Sequence, residues 1–182
     1  MDELIDILDT KGNRTGRTAM KSEAHRKGLF HQTVHVWFFT SEGEILLQQR
    51  GKDKDTHPLY WDVSVAGHVG AGEEIEIAAV REVKEEIGCS ISIKDLRRIG
   101  IYPSFFKHSE ILIDNEFHHT FLCELKTDFE SLKKQKSEVK ALALVPIARF
   151  EKEIDDEKHS GKYVPHSRDY YMSIIKGIKK LY

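Results

Sequence analysis

Three glutamates, Glu82, Glu85 and Glu86, stand at i, i+3 and i+4 just downstream of a glycine-rich run, Gly67-His-Val-Gly-Ala-Gly-Glu-Glu74. Glu74 to Ile87 reads as a helix. Turned at about 100° per residue, that helix puts Ile77, Val80, Val83 and Ile87 on one arc and the three glutamates on the opposite one. Ala78 and Ala79 flank the carboxylates and leave space around them. Like charges at these spacings repel one another by roughly a few tenths of a kcal/mol per pair. A bound divalent cation removes the repulsion, and an oxygen-only ligand set suits Mg²⁺ or Mn²⁺. Three glutamates by themselves are more often a solvated acidic face, so the residues around them must decide.

Those residues form a spaced pattern. Gly67 is followed after five residues by Glu73, and after seven more by Arg81-Glu82-Val83-Lys84-Glu85-Glu86-Ile87-Gly88-Cys89. The stretch 67–89 resembles the Nudix box of the Nudix hydrolases, Gly-x5-Glu-x7-Arg-Glu-U-x-Glu-Glu-x-Gly-U, where U is a bulky aliphatic residue. It departs only at the last position, where Cys89 is itself a small buried hydrophobe. The resemblance implies that Glu82, Glu85 and Glu86, with the backbone carbonyl of Gly67, hold divalent ions. It also implies that Arg81 orients a glutamate and that Glu73 is mainly structural. Such ions bridge diphosphate oxygens and help make hydroxide from bound water. Gly70 and Gly72 allow the loop unusual backbone angles.

A second resemblance extends over roughly residues 2–125. Leu46-Leu-Gln-Gln-Arg-Gly-Lys-Asp-Lys-Asp-Thr-His-Pro58 and Trp61-Asp-Val-Ser-Val-Ala-Gly-His68 are similar to the Nudix branch that contains type I isopentenyl diphosphate isomerase and its hydrolase cousins. His25, His31 and His68 stand where the isomerases use histidines, and Asp114-Asn115-Glu116 matches an acidic-Asn-Glu segment of theirs. The isomerases also need a cysteine immediately before the box glycine. This chain has Ala66 there, which moves no proton, and its box glutamates are intact; both differences favour hydrolysis. Glu116 is the candidate for a further metal ligand or general base, against the alternative of an exposed loop glutamate. His25, His31, His35 and His68 are either a second metal site or hydrogen-bonded structural residues. His118 and His119 are adjacent, so on a strand at most one of them enters the site.

For substrate contacts, Arg50, Lys52 and Lys54 follow a strand and are candidates to meet phosphate oxygens, with a solvated basic loop as the alternative. His68 belongs to the same group. Tyr102, Phe105 and Phe106 are candidates to stack on a base or cover an isoprenoid tail, and core packing is the alternative for at least one.

The elements that must position these residues are legible in outline. Leu4–Leu8 reads as a strand followed by turn chemistry at Thr10–Asn13, and Lys21–Lys27 as a short helix closed by Gly28. Thr33–Phe39 and Ile45–Leu47 read as a hairpin across Ser41-Glu-Gly43. Tyr60–Ala66, Ile99–Phe106, Phe117–Leu125 and Leu142–Ile147 read as further strands. Lys126–Lys140 is expected to be an exposed loop or a short surface helix. A C-terminal helix is expected over 167–181, with Tyr170, Ile174, Ile178 and Leu181 near one face. Strands and helices in mixed order indicate an α/β (α+β) fold, an α/β/α sandwich around a mixed central β-sheet.

The 182 residues suit one domain, 1–182, with a substantial core. Lys+Arg 28 against Asp+Glu 30 gives a net charge of −2 with no basic block, so no nucleic-acid polymer is expected as a partner. No apolar run is long enough for a membrane helix, and the acidic start lacks the character of a signal peptide. Cys89 and Cys123 are expected to be buried free thiols in a reducing cytoplasm. The oligomeric state stays open. The leading reading is a Mg²⁺-dependent (or Mn²⁺-dependent) pyrophosphohydrolase of a nucleoside diphosphate derivative or another small organic diphosphate. The alternatives are an isopentenyl diphosphate isomerase-like protein acting on prenyl diphosphates, and a non-catalytic Nudix ligand sensor.

Overall fold

The computed structural model describes residues 2–181; Met1 and Tyr182 of the expected 1–182 domain lie outside the described residues. A small antiparallel hairpin, β1 (Leu4–Leu8) and β2 (Arg14–Met20), carries helix α1 (Lys21–Lys27). The main sheet contains β3 (His31–Phe39), β4 (Glu44–Arg50), β5 (Trp61–Asp62), β6 (Val65–His68), β7 (Arg97–Ser109), β8 (Leu112–Glu124) and β9 (Val139–Pro146). Its strand order is β5-β4-β3-β8-β7, with β6 paired to β3 and β9 to β4. Only β3 and β8 run parallel, so the sheet is mixed. Helix α2 (Ile75–Ile87) covers one face; α3 (Ile147–Ile154), α4 (Glu157–Ser160) and α5 (Arg168–Lys179) follow β9. No helix among the described residues is long and apolar enough to cross a membrane.

Strand β3 shows why both faces must be covered. Val34, Val36 and Phe38 pack with Ala78, Ala79, Val83 and Ile87 of α2. Trp37 and Phe39, pointing the other way, pack with Phe150 of α3 and Tyr170, Ile174 and Ile178 of α5. Alternation along a strand sends successive side chains to opposite faces, and a strand apolar on both must be sandwiched. Tyr170, Ile174 and Ile178 are buried, and Leu181 packs against the same cluster. Gly177 in α5 faces Leu122, whose Cδ1 would lie 2.9 Å from an added Cβ. The glycine that weakens the helix is therefore the one that lets it sit close to the sheet.

Several boundaries differ from the sequence expectation. Strand β2 was not expected, because RTGRTAM is polar and exposed except at Ala19; pairing with β1 supplies what its composition does not. The expected strand Tyr60–Ala66 is two short strands broken at Val63–Ser64, where Ser64 hydrogen-bonds the neighbouring backbone instead. Helix α3 starts at Ile147, which had been assigned to a strand; Pro146 ends β9 and precedes the first helical turn. Of the expected loop Lys126–Lys140, residues 126–138 hold a single 3₁₀ turn, Phe129–Ser131, while Val139 and Lys140 already belong to β9, which starts before the expected Leu142.

The largest correction concerns the roll of α2. Ile77, expected on the core arc, is 49 % exposed, whereas Glu82 and Glu86 are 7 % and 3 % exposed. The buried face runs from Ala78 and Ala79 through Glu82 and Glu86 to Val83 and Ile87. It overlaps only half of the apolar arc, because the helix is turned to bring its carboxylates inward.

Helix α1 holds His25 in place and depends on its C-terminal glycine. Gly28 adopts φ 61°, ψ 39°, and its N–H closes the helix; its carbonyl accepts 2.7 Å from Asn115 Nδ2. An added Cβ would also stand 3.2 Å from Ile113. Gly28→Ala is expected to lower stability by about 1–2 kcal/mol, the cost of left-handed backbone for an L-residue, read as a fall in the urea midpoint at constant m-value.

Candidate active site

The glycine loop 67–74 and helix α2 meet through Arg81. Its Nε and Nη2 donate to the two oxygens of Glu73, both at 2.9 Å. Nη1 donates to Glu82 at 2.7 Å and Glu85 at 3.2 Å, and Nη2 also reaches the His68 carbonyl at 3.0 Å. Glu73 in turn accepts from the Gly70 N–H at 2.9 Å. A planar guanidinium is well suited to this forked recognition. Arg81 lowers the Glu73 pKa through that hydrogen bond, so Glu73 is held as a carboxylate that shapes the loop. Gly67 packs against Glu82 so closely that any side chain there would overlap the carboxyl group.

Glu86 lies deepest. It accepts from Ala66 N and Gln48 Nε2, each at 3.2 Å, and burial pushes its pKa up to about 8. Burial also raises the pKa of Glu82, against the pull of Arg81. Two buried carboxylates in one place are costly without a positive partner. Glu85 is the exposed member of the three. The set of Glu82, Glu85, Glu86 and the adjacent Gly67 backbone fits a hard divalent cation with oxygen ligands.

A second donor set lies in the same cavity. His25, His31, His68 and Glu116 place one ligand atom each within 4.8 Å of one another. His25 Nε2 is 3.3 Å from His31 Nε2 and 3.1 Å from His68 Nε2, and Glu116 Oε1 is 3.3 Å from His31 Nε2. The outer nitrogens are engaged elsewhere. His31 Nδ1 bonds the Leu29 carbonyl at 2.9 Å, and His25 Nδ1 faces Asp114 at 3.7 Å. That leaves the Nε2 lone pairs of both rings converging inward, the arrangement metal-binding histidines adopt. Burial holds His25 and His68 below the usual histidine range, in the neutral form that binds metal. Burial acts to raise Glu116, but the hydrogen bond to His31 and the neighbouring histidines hold its pKa well below the usual value. Three imidazoles and a carboxylate suit a transition metal better than Mg²⁺. His35 is not one of the four, although the sequence grouped it with them. It lies on the same face of β3 as His31 but four residues along, roughly 13 Å away.

The sheet register explains how these distant residues meet. Parallel pairing of β3 with β8 sets His31 beside Glu116, Thr33 beside His118 and His35 beside Thr120. On the other side of β3, β6 sets His68 beside Thr33 and Ala66 beside His35. Residues paired across strands share a face, so one patch of sheet forms the cavity floor.

The cavity measures about 440 Å³; Gly67, Glu82, Glu85 and Glu86 line it, as do His25, His68 and Glu116 of the second set, with His31 buried behind them. Arg50 and Lys54 line it as well; Arg50 Nη1 bonds Asp62 Oδ2 at 3.1 Å, and Lys54 pairs with Glu138. Lys52, expected beside them, is exposed and does not line the cavity. Phe105 is also turned away. It is 57 % exposed and packs edge-on against Phe30, while its neighbours Ser104 and Phe106 line the cavity, as alternation along β7 requires. His118 faces the cavity, and His119 faces outward to Arg98. Cys89 and Cys123 are buried and free.

The sequence did not single out Asp62, His166 or Tyr170. Asp62 is 4 % exposed and accepts from His166 Nε2 at 2.9 Å. A charged residue inside the otherwise apolar Trp61–Val65 stretch was the available signal. His166 carried none, Tyr170 was read only as one face of the C-terminal helix, and the groups they bond, Asp62, His35 and Trp37, lie more than a hundred residues away.

Comparison with known proteins agrees with this geometry. The pattern of the NUDIX domain family matches residues 29–166. An uncharacterized Nudix hydrolase of Clostridium acetobutylicum is 32 % identical over 97 % of both chains. An isopentenyl-diphosphate Delta-isomerase of Photorhabdus laumondii is 33 % identical over 67 % of both. Nudix hydrolase 3 of Arabidopsis thaliana is 33 % identical over 91 % of this chain, which spans only 22 % of that longer protein. In three dimensions, a crystal structure from Deinococcus radiodurans superposes with a TM-score of 0.67 at 18 % identity, covering 96 % of this chain and 98 % of the other. The family pattern and full-length relatives at about a third identity place this chain in the Nudix hydrolase family, enzymes that cleave phosphorus anhydrides and generally use a divalent metal.

Proposed function

We propose that this protein hydrolyses the diphosphate linkage of a small organic diphosphate, with a nucleoside diphosphate derivative as the leading class and Mg²⁺ or Mn²⁺ at the glutamates of α2. The observation that carries this reading is one cavity lined by buried Glu82 and Glu86, exposed Glu85, and the cationic Arg50 and Lys54. When bound, divalent metal neutralises phosphate charge and lowers the pKa of bound water. The chain's own residues do the rest. Arg81 and Glu73 fix the loop and aim Glu82 and Glu85, Gln48 and the Ala66 N–H orient Glu86, and Arg50 and Lys54 bring positive charge to the phosphates. Glu116, deprotonated beside His31, is positioned to bind metal or accept a proton from water. His68 meets the same cluster and serves it as a ligand.

The isomerase-like reading is favoured by the His25, His31, His68 and Glu116 cluster, residues that stand where the sequence resembles the isomerases. Ala66 counts against it. Its backbone N–H holds Glu86, but its side chain carries no proton to a carbon centre. The intact box likewise weighs against a ligand sensor without catalysis.

The first experiment is a phosphate-release screen in Mg²⁺ and in Mn²⁺. It would compare nucleoside diphosphates, nucleotide sugars, dinucleotides, thiamine diphosphate and isopentenyl diphosphate. Turnover of one class, abolished by chelator, is expected; silence across the panel with metal binding intact would reject the hydrolase assignment. Glu85→Gln and Glu86→Gln are each expected to cut turnover on the order of a hundredfold or more, since electrostatic stabilisation is usually a large contribution. Near-normal rates in both variants would mean the metal is held elsewhere. Ala66→Cys is expected not to yield an isomerase, checked by looking for dimethylallyl diphosphate formed from isopentenyl diphosphate.

A further inference from the structure

Beyond the two metal-ligand sets, the cavity ends in a chamber of histidines that neither set uses. His35 and His118 stack with ring centroids 4.0 Å apart and planes inclined by 18°. His166 stands edge-on to both, at 5.5 and 6.0 Å. Each ring is locked by one nitrogen: His35 Nδ1 to Tyr170 Oη at 2.6 Å, His118 Nδ1 to Thr33 Oγ1 at 2.7 Å, and His166 Nε2 to Asp62 Oδ1 at 2.9 Å. All three line the cavity.

One nitrogen of each outer ring is already engaged. His35 Nδ1 bonds Tyr170 Oη, which also accepts 2.9 Å from Trp37 Nε1, so in either tautomer His35 Nε2 is left as a polar group. Asp62 accepts from His166 Nε2, which leaves a lone pair on Nδ1. Among the described residues, no hydrogen bond occupies the second nitrogen of either ring. The chamber therefore offers two hydrogen-bonding nitrogens on rings that are already held rigid. Polar groups that a ligand covers are nearly always hydrogen-bonded, and a hydrocarbon placed against these two nitrogens leaves them unpaired.

We propose that this chamber receives the organic end of the substrate and selects a hydroxyl-bearing group, a ribose or another sugar, over a hydrocarbon chain. The proposal rests on the diphosphate-hydrolase reading for where the phosphates lie. A site built to hydrogen-bond a hydroxyl discriminates far more strongly against a ligand that lacks it than an apolar pocket discriminates by size.

The test is equilibrium titration of the full chain in Ca²⁺ with ADP, ADP-ribose and UDP-glucose against isopentenyl diphosphate, with phosphate release in Mg²⁺ measured in parallel. At least one hydroxyl-bearing diphosphate is expected to bind a hundredfold or more tightly than isopentenyl diphosphate. His35→Phe and His166→Phe are expected to shrink that ratio tenfold or more, with Mn²⁺ binding unchanged. If isopentenyl diphosphate binds as well as every hydroxyl-bearing ligand in the unaltered protein, the proposal is overturned, whatever the folding of the variants. A ratio that survives both substitutions in folded protein also overturns it. Hydroxyl-selective binding without phosphate release would instead reject the hydrolase reading and leave the chamber's selectivity standing.

Discussion

The site depends on holding two glutamates out of water on a helix whose neighbours are apolar. Glu82 and Glu86 are buried beside Ala79 and Val83, and burial raises both of their pKa values. Such an arrangement persists only if something compensates the lost hydration. Arg81 does so for Glu82 and ties it to Glu73 and the His68 carbonyl, so that loop and helix form one unit. Glu86 has the charge of Lys54 and hydrogen bonds from an amide and a backbone N–H, yet burial still prevails. The remaining deficit is what makes a cation at this place favourable.

Strand β3 divides the rest of the molecule's work along its length. On one face Thr33 and His35 meet the cavity with His31 buried beside Glu116, and Trp37 and Phe39 continue the same face into the core beneath α3 and α5. The apolar half anchors the strand rigidly, and the polar half inherits that rigidity. Insertion of β6 between β3 and the far part of β4 opens the cleft. Strands β3 and β4 share only the Phe39–Ile45 pair, while β6 supplies Ala66, Gly67 and His68 to the gap. A floor built from paired strands holds side chains more precisely than one built from loops.

Three charged or polar groups share the cavity: the carboxylates of α2, the imidazole-rich set with Glu116, and the Asp62–His166 pair with the stacked His35 and His118. Oxygen-only and nitrogen-rich donor sets prefer different cations, so the two metal-ligand sets are chemically distinct although they share one space. The anchoring of His31, His35, His118 and His166 through one nitrogen each gives that space fixed hydrogen-bonding positions.

The sequence by itself determined the helix of the box, its spacing and the ends of α1 and β1, because these follow from local periodicity, glycine and turn chemistry. It also determined that His118 and His119 part company, which strand alternation requires. Tertiary structure decided the rest. The roll of α2 could not be read from its hydrophobic arc, since it is set by the contact of Gly67 with Glu82 and by the reach of Arg81. His25, His31 and His68 were already grouped in the sequence; that Glu116 joins them and His35 does not came from strand register. Phe105 and Lys52 were misplaced because one residue of register on β7, or one turn of loop, reverses a side chain's direction. Asp62, His166 and Tyr170 join across roughly a hundred residues of chain, and no local pattern encodes a contact made only when α5 packs on the sheet.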